Sequence, residues 1–128
     1  MFCCNFSDKV LEHFMTPRNS GSMVDADSIG TAGDPACGDS LTLYIKVKEN
    51  IIEDISFMVF GCVAAIATSS MTTELAKGKS LDEAYKINDQ DIADALDGLP
   101  EQKMHCSVLG ATALKNAIDN YYSKINGK

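Results

Sequence analysis

Two runs of alternating apolar and polar residues, separated by a short polar turn, constrain the fold of this chain more than any other feature. Leucine, isoleucine and valine occupy every second position of residues 41–47, and the alternation resumes over residues 55–59. A period of two residues is typical of a strand with one buried face. Glu49 and Asn50 lie between the two runs as a tight turn, so the sequence predicts an antiparallel hairpin closed by Gly61.

The segments before this hairpin read as a helix and a loop. Ser7 is a typical N-cap residue, and it predicts a short helix over residues 8–15 that Pro17 ends. Residues 19–38 are rich in glycine and small polar residues, which predicts a long loop with a short strand around Ile29.

The segments after the hairpin have helical patterns. Residues 62–77 are rich in alanine, serine and threonine, and Gly78 stands where a helix C-cap glycine belongs, so a buried helix is predicted. Further helices are predicted over residues 80–85 with Ser80 as the N-cap, over 92–96 with Asn88 or Asp89 as the N-cap, and over 105–125. Strands followed by helices indicate an α+β two-layer domain, in which a small antiparallel sheet of about three strands packs against several helices.

The composition favours one globular domain and argues against several functions. The chain has 128 residues, of which 45% are hydrophobic and 23% charged, as expected of a single domain over residues 1–128 with a flexible tail at 1–6. A net charge of −7 argues against nucleic-acid binding. No apolar run is long enough to span a membrane and no export signal is recognisable, so the expected location is the cytoplasm.

Three of the five cysteines stand at predicted boundaries between elements. Cys37 lies in the long loop, whereas Cys62 and Cys106 lie in first helical turns, where free N–H groups and the helix dipole favour the thiolate. If the boundaries meet, Asp39 or His105 could complete a four-ligand site for iron or zinc. The wide spacing matches no compact zinc finger, so the positions alone leave open both a metal site and three unrelated buried cysteines.

Longer motifs surround these cysteines in a fixed order. They are Pro17-Arg18-Asn19, Gly33-Asp34-Pro35-Ala36-Cys37-Gly38-Asp39, Phe60-Gly61-Cys62 followed by Ala64, Ile66, Ala67, Ser69 and Ser70, Lys77-Gly78-Lys79-Ser80-Leu81-Asp82-Glu83-Ala84, and Lys103-Met104-His105-Cys106-Ser107. Together they resemble the IscU-type iron–sulfur scaffold family, which also occurs as the N-terminal domain of NifU. The resemblance spans nearly the whole chain and implies an IscU/NifU-like fold.

The resemblance implies a carrier, not an enzyme, that assembles a labile iron–sulfur cluster and transfers it to apoproteins. The implied ligands of the metal or cluster are Cys37, Asp39, Cys62, His105 and Cys106. The carboxylate and the imidazole would compete for one position, and three thiolates so completed hold a cluster less tightly than four. Cys106 would also accept persulfide sulfur, with Lys103 as an auxiliary residue beside it.

The resemblance also implies a cargo and partners. A [2Fe–2S] cluster is expected, with [4Fe–4S] as the alternative, and Zn²⁺ or Fe²⁺ would occupy the same ligands in its absence. The implied partners are a cysteine desulfurase, a frataxin-like protein, a ferredoxin and recipient apoproteins. Family members served by a dedicated Hsp70 chaperone carry Leu-Pro-Pro-Val-Lys, whereas this chain has Leu99-Pro100-Glu101-Gln102-Lys103, which argues against that chaperone.

One alternative shares the same local chemistry. SufU-type zinc-dependent sulfurtransferases relay persulfide sulfur through similar cysteines, but they carry an insertion before the last cysteine region and lack the histidine that is His105 here. Cys3 and Cys4 have no counterpart in the family and are interpreted as thiols of the flexible tail. His13 is predicted to be a surface histidine with no role in the site.

Overall fold

A computed structural model of the chain describes the backbone of residues 7–17, 19–34, 39–61, 63–99 and 104–126. The elements are, in chain order, α1 (Asp8–Met15), β1 (Ser28–Asp34), β2 (Asp39–Lys48), β3 (Ile51–Phe60), α2 (Val63–Ala76), α3 (Leu81–Tyr85), α4 (Asp89–Ala95) and α5 (Met104–Asn126). The strands form one antiparallel sheet in the order β1-β2-β3, and helices pack against one face of it. The predicted α+β architecture with three strands is confirmed.

The predicted hairpin is formed by β2 and β3. Glu49 and Asn50 both have positive φ angles, of 53° and 66°, as a two-residue type I′ turn requires. The register shifts after Lys46, which leaves Glu53 as an extra residue on β3. This bulge changes the phase of the strand, so that Ile52 is buried although the alternation of residues 55–59 alone does not predict it.

Strand β1 corrects the prediction that residues 19–38 form a long loop with only a short strand. The strand is seven residues long. Gly30 weakens the strand pattern in the sequence, but it has a packing function. A Cβ atom on Gly30 would lie 2.2 Å from the carbonyl oxygen of Ala113 and 2.3 Å from the amide nitrogen of Ala117. The backbone of β1 therefore touches the backbone of α5, and only glycine permits this approach.

Side chains of α5 also bind the backbone of β1. Three of them, each one turn after the last, donate to carbonyl oxygens of β1 or of the residue before it: Asn116 to Thr31 (2.7 Å), Asn120 to Ile29 (2.8 Å) and Lys124 to Asp27 (2.9 Å). Because residue numbers rise along the helix as they fall along the strand, α5 runs antiparallel to β1. The donors occupy acceptors of an edge strand that could otherwise pair with a strand of another molecule.

The opposite edge of the sheet is covered by loops. Phe57 of β3 donates its N–H to the Asn19 carbonyl at 3.1 Å and accepts from the N–H of Gly21 at 2.8 Å. Ile52 exchanges a similar pair of bonds with residues 78–79. Both edges of the sheet are thus partly closed by the chain itself.

Removing the side-chain donors from the β1 edge is expected to weaken the fold and open this edge. The double variant Asn116→Ala/Asn120→Ala loses two hydrogen bonds, so its free energy of unfolding should fall by about 2 kcal/mol. Urea denaturation measures this change, and light scattering at rising protein concentration measures association through the edge. Ser123→Ala, at an exposed position of the same helix, is the matched control. Equal stability and scattering in both variants would contradict this function of the donors.

Helix α2 is buried, as predicted, although its centre is polar. Hydroxyl side chains on it donate to carbonyl oxygens one turn earlier, as Ser69 does to Ala65 at 2.7 Å and Thr72 to Thr68 at 2.7 Å. These internal bonds satisfy polar groups that would otherwise be costly to bury. Within the described part of the chain, no helix is long and apolar enough to cross a membrane.

The predicted caps of the two short helices are confirmed. Ser80 accepts a hydrogen bond from the N–H of Glu83 at the start of α3. Asn88, one of two predicted candidates, caps α4 and forms a capping box with Asp91. Because of this cap, α4 begins before the predicted range of 92–96.

Candidate functional site at one edge of the sheet

The residues predicted to form the site lie at three boundaries between elements. The side chains of all six lie outside the residues that the structure describes: Cys37, Asp39, Cys62, Lys103, His105 and Cys106. The backbone places Asp39 at the start of β2, and it places His105 and Cys106 in the first turn of α5. The geometry of the site is therefore built from the described elements that flank these residues.

Two of the boundaries adjoin the same end of the sheet. The last partners of β1 and β2 are Asp34 and Asp39, which flank the connection that contains Cys37. On the other side of β2, Ser40 is paired with Phe60. Phe60 is the last residue of β3 and lies two positions before Cys62. Since neighbouring strands lie about 4.8 Å apart, the flanking residues of both connections lie close together.

Helix α5 brings the third boundary to this end. Its side chain Asn116 is bonded to Thr31 of β1. From Asn116 back to Met104 the helix rises about 18 Å, whereas β1 extends only about 10 Å from Thr31 to Asp34. The first turn of α5 therefore lies beyond the end of β1, with the positive end of the helix dipole at this edge.

The beginning of α2 lies beside the segment that leads into α5. Ala64 and Ala65, in the first turn of α2, are fully buried and pack against Val59 of β3 and against Leu99. Leu99 is the last described residue before α5. The described ends of β1, β2, β3, α2 and the segment before α5 thus converge on one edge of the domain.

Exposed apolar side chains accompany this edge. Phe60, at the end of β3, is 78% exposed, and Met58 is 51% exposed on the same face of that strand. Val108 of α5 is 46% exposed. It lies in the second turn of α5, near the helix end, where less of the surface is covered by the sheet.

The metal ligands themselves remain a prediction. Among the residues with described side chains, no three histidine, cysteine, aspartate or glutamate residues lie close enough together to hold a metal ion. The predicted ligand set depends on the three cysteines at the boundaries. The convergence of the flanking elements on one edge supports this prediction.

His13 is buried, and the prediction of a surface position is wrong. It is 4% exposed, because His13 and Val10 share the face of α1 that packs on α2. The imidazole Nδ1 lies 2.7 Å from Ser70 Oγ, and Nε2 lies 3.6 Å from the Glu74 carboxylate. Ser70 is fully buried, so this Ser–His–Glu arrangement offers no access to a substrate and connects two helices instead.

Comparison with known proteins identifies similar sequences over nearly the whole chain. Residues 5–128 match the family described as NifU-like N terminal domain. The iron–sulfur cluster assembly scaffold protein IscU 1 of Archaeoglobus fulgidus is 62% identical over 123 residues, which cover 96% of this chain and 80% of that protein. The protein IscU of Escherichia coli K12, also named a scaffold, is 50% identical over 127 residues, which cover 96% and 98%.

Solved structures have the same fold. A crystal structure described as that of a hypothetical protein matches with a TM-score of 0.71 and 30% identity, covering 87% of this chain and 94% of the other. The N-terminal part of a nitrogen-fixing NifU-like protein from Brucella abortus matches with a TM-score of 0.70 and 20% identity, covering 91% and 94%. The arrangement of strands and helices described above is therefore common to these proteins.

Proposed function

Because the chain belongs to the NifU-like N-terminal domain family, we propose that it is a scaffold on which an iron–sulfur cluster is assembled before transfer to apoproteins. The observation that carries this proposal is the 47–62% identity, over most of the chain, to proteins named as iron–sulfur cluster assembly scaffolds. The same similarity favours the scaffold over a SufU-type sulfurtransferase. The protein acts as a carrier, since the cluster is its cargo.

The cluster is held by the thiolates of Cys37, Cys62 and Cys106, with Asp39 and His105 competing for the remaining position. Soft thiolates prefer iron, and an oxygen or nitrogen ligand in the fourth position makes the set easier to displace. The convergence of the flanking elements on one edge supports this assignment. So does the position of Cys106 in the first turn of α5, where the helix dipole favours a thiolate.

Sulfur reaches the site from the persulfide of a cysteine desulfurase. The Cys106 thiolate attacks the outer sulfur, the S–S bond of the donor breaks, and the donor cysteine leaves as a thiolate. Each sulfur then needs two electrons to become sulfide. For a [2Fe–2S] cluster with two ferric ions, the two ferrous ions supply two of the four electrons, and an electron donor of the ferredoxin class supplies the others.

The remaining assignments concern the surroundings of the site. Lys103, close to Cys106 in the sequence, has an auxiliary role as a cation beside the thiolates. Zn²⁺ fills the same ligand set when no cluster is present, because it favours the same tetrahedral thiolates. The polar pair Glu101-Gln102, which carries one negative charge, replaces an apolar pair in the chaperone motif, so transfer proceeds without the dedicated Hsp70 chaperone.

Anaerobic assembly followed by transfer tests the function. The protein is incubated with Fe²⁺, L-cysteine and a catalytic amount of cysteine desulfurase, and visible absorbance is recorded before and after addition of an apo-ferredoxin. Sulfide-to-iron absorption bands are expected to form on the protein and then to move to the ferredoxin. A colourless protein that retains zinc and only accelerates desulfurase turnover would contradict the scaffold and favour the sulfur relay.

A further inference from the structure

A groove with a volume of about 400 Å³ lies between α3 and α5. It is lined by Asp82, Tyr85, Lys86, Asp119 and Tyr122. Asp119 lies about 22 Å along α5 from Met104, at the end of the helix remote from the proposed cluster site. The groove is thus separate from the site described above.

Each carboxylate of the groove lies close enough to a tyrosine to affect its ionisation. The Tyr85 hydroxyl donates to Asp119 Oδ2 at 3.3 Å, and this bond raises the pKa of Tyr85. Burial, followed by the charge and hydrogen bonding of Asp82, raises the pKa of Tyr122. Both phenols therefore stay protonated at neutral pH and act as donors. A carboxylate has room for several donors, and among the described residues neither aspartate takes part in a salt bridge.

The rings of the groove are suited to a cation. Lys115 Nζ already lies 5.4 Å from the centroid of the Tyr85 ring, and it is held there by a bond to the Ile87 carbonyl oxygen at 3.0 Å. This contact shows that the electrostatics of the ring favour a positive charge. Tyr122 contributes a half-buried second ring, which forms an edge-to-face pair with the Tyr121 ring.

A second groove on the surface differs from the groove between α3 and α5 in its charges and its rings. It has the same volume of about 400 Å³ and is lined by Asp25, Lys46, Glu53, Asp54 and Lys77. Two of its carboxylates are already paired with its two lysines, and it has no aromatic lining. A cationic ligand would have to displace these paired lysines. Among the described residues, Lys86, the lysine that lines the groove between α3 and α5, takes part in no salt bridge with the carboxylates there. The second groove therefore serves as an internal control.

We propose that the groove between α3 and α5 binds an arginine side chain presented by a partner protein. A guanidinium group is planar, so it stacks on a tyrosine ring while its N–H groups reach carboxylates on either side. The lysine ammonium is a compact, strongly hydrated charge and matches this arrangement less well. A basic partner also suits a chain with a net charge of −7. A partner held in this way leaves the remote edge of the sheet open.

Amide chemical-shift titration of the isotope-labelled protein without a cluster tests this proposal. The probe is the blocked peptide acetyl-Gly-Arg-Gly-amide, and the matched peptides carry lysine or the neutral isostere citrulline in place of arginine. Saturable shifts are expected at residues 82–86 and 119–122, with weaker binding of the lysine peptide and none of the citrulline peptide. Asp119→Asn should weaken binding of the arginine peptide about fivefold, the loss of one exposed charge-assisted bond. Asp54→Asn, in the control groove, should leave it unchanged.

Three results would overturn the proposal. They are equal binding of the arginine and citrulline peptides, equal effects of Asp119→Asn and Asp54→Asn, and binding of the small amine agmatine without binding of the arginine peptide. The last result would identify the groove as a site for a free guanidino compound. Since the titration requires no cluster, its outcome is independent of the assembly assay.

Discussion

Replacing Cys37, Cys62 or Cys106 with serine is expected to abolish formation of a stable cluster, whereas replacing both Cys3 and Cys4 leaves it intact. A serine hydroxyl stays protonated at neutral pH and is a hard ligand, so it does not substitute for a thiolate on iron. The loss of one ligand from a set of three thiolates should lower the affinity for the cluster at least about 100-fold. Visible absorbance and the iron and sulfide bound after anaerobic assembly measure this loss.

The other two proposed ligands should behave differently. If Asp39 and His105 compete for one position, as proposed, either one can complete the set when the other is replaced by alanine. Each single variant is expected to form a cluster with a changed lifetime and transfer rate, and the double variant to lose it. Circular dichroism verifies that each variant is folded. Loss of the cluster in the Cys3/Cys4 variant, or its survival in all three single cysteine variants, would show that the ligand assignment is wrong.

Gly30→Ala is expected to destabilise the domain by about 3 kcal/mol, at the upper end of the range for overpacking. The added Cβ would meet backbone atoms of Ala113 and Ala117, which cannot rotate away as the end of a side chain can. Helix α5 must therefore move from β1 as a unit, which stretches its bonds to the strand. Against a typical total stability of about 5–15 kcal/mol, such a loss is readily measured by urea denaturation.

Thr31→Ala is the matched control for this substitution. Thr31 is the next residue of β1, and its side chain is exposed on the opposite face of the sheet. Its replacement should change the free energy of unfolding by no more than about 0.5 kcal/mol. If Gly30→Ala unfolded at the same urea concentration as this control, the close contact between the strand and helix backbones would not hold.

The parts of the fold that sequence patterns predicted are those with local signals. The hairpin has its alternation and its turn, α1 has its cap at Ser7, and α2 ends before a glycine with a φ of +84° at Gly78. The extent of strand β1 was underestimated because its glycines favour a loop locally, while its stability comes from β2 and from α5, far along the chain. His13 was misplaced for a similar reason, since its partners Ser70 and Glu74 lie on another helix.

The candidate site could be predicted from the sequence only in part. The spacing of Cys37, Cys62 and Cys106 left open both a metal site and unrelated cysteines, and the motifs around them decided the interpretation. The structure adds that the flanking elements meet at one edge, which depends on strand register and on the direction of α5. The groove at Asp82 and Asp119 has no sequence signal, because its two halves belong to separate helices that only tertiary packing brings together.

The hydrogen bonds from α5 to the edge of β1 have a consequence for folding during translation. The acceptor at Thr31 and the donor at Asn116 are separated by 85 positions, so the strand is synthesised well before the side chains that bind its edge. At ordinary translation rates the interval is on the order of ten seconds. Once β2 has been synthesised and paired with β1, the outer edge of β1 stays open until α5 follows. A chain released before α5 is complete would keep that edge permanently available for aggregation.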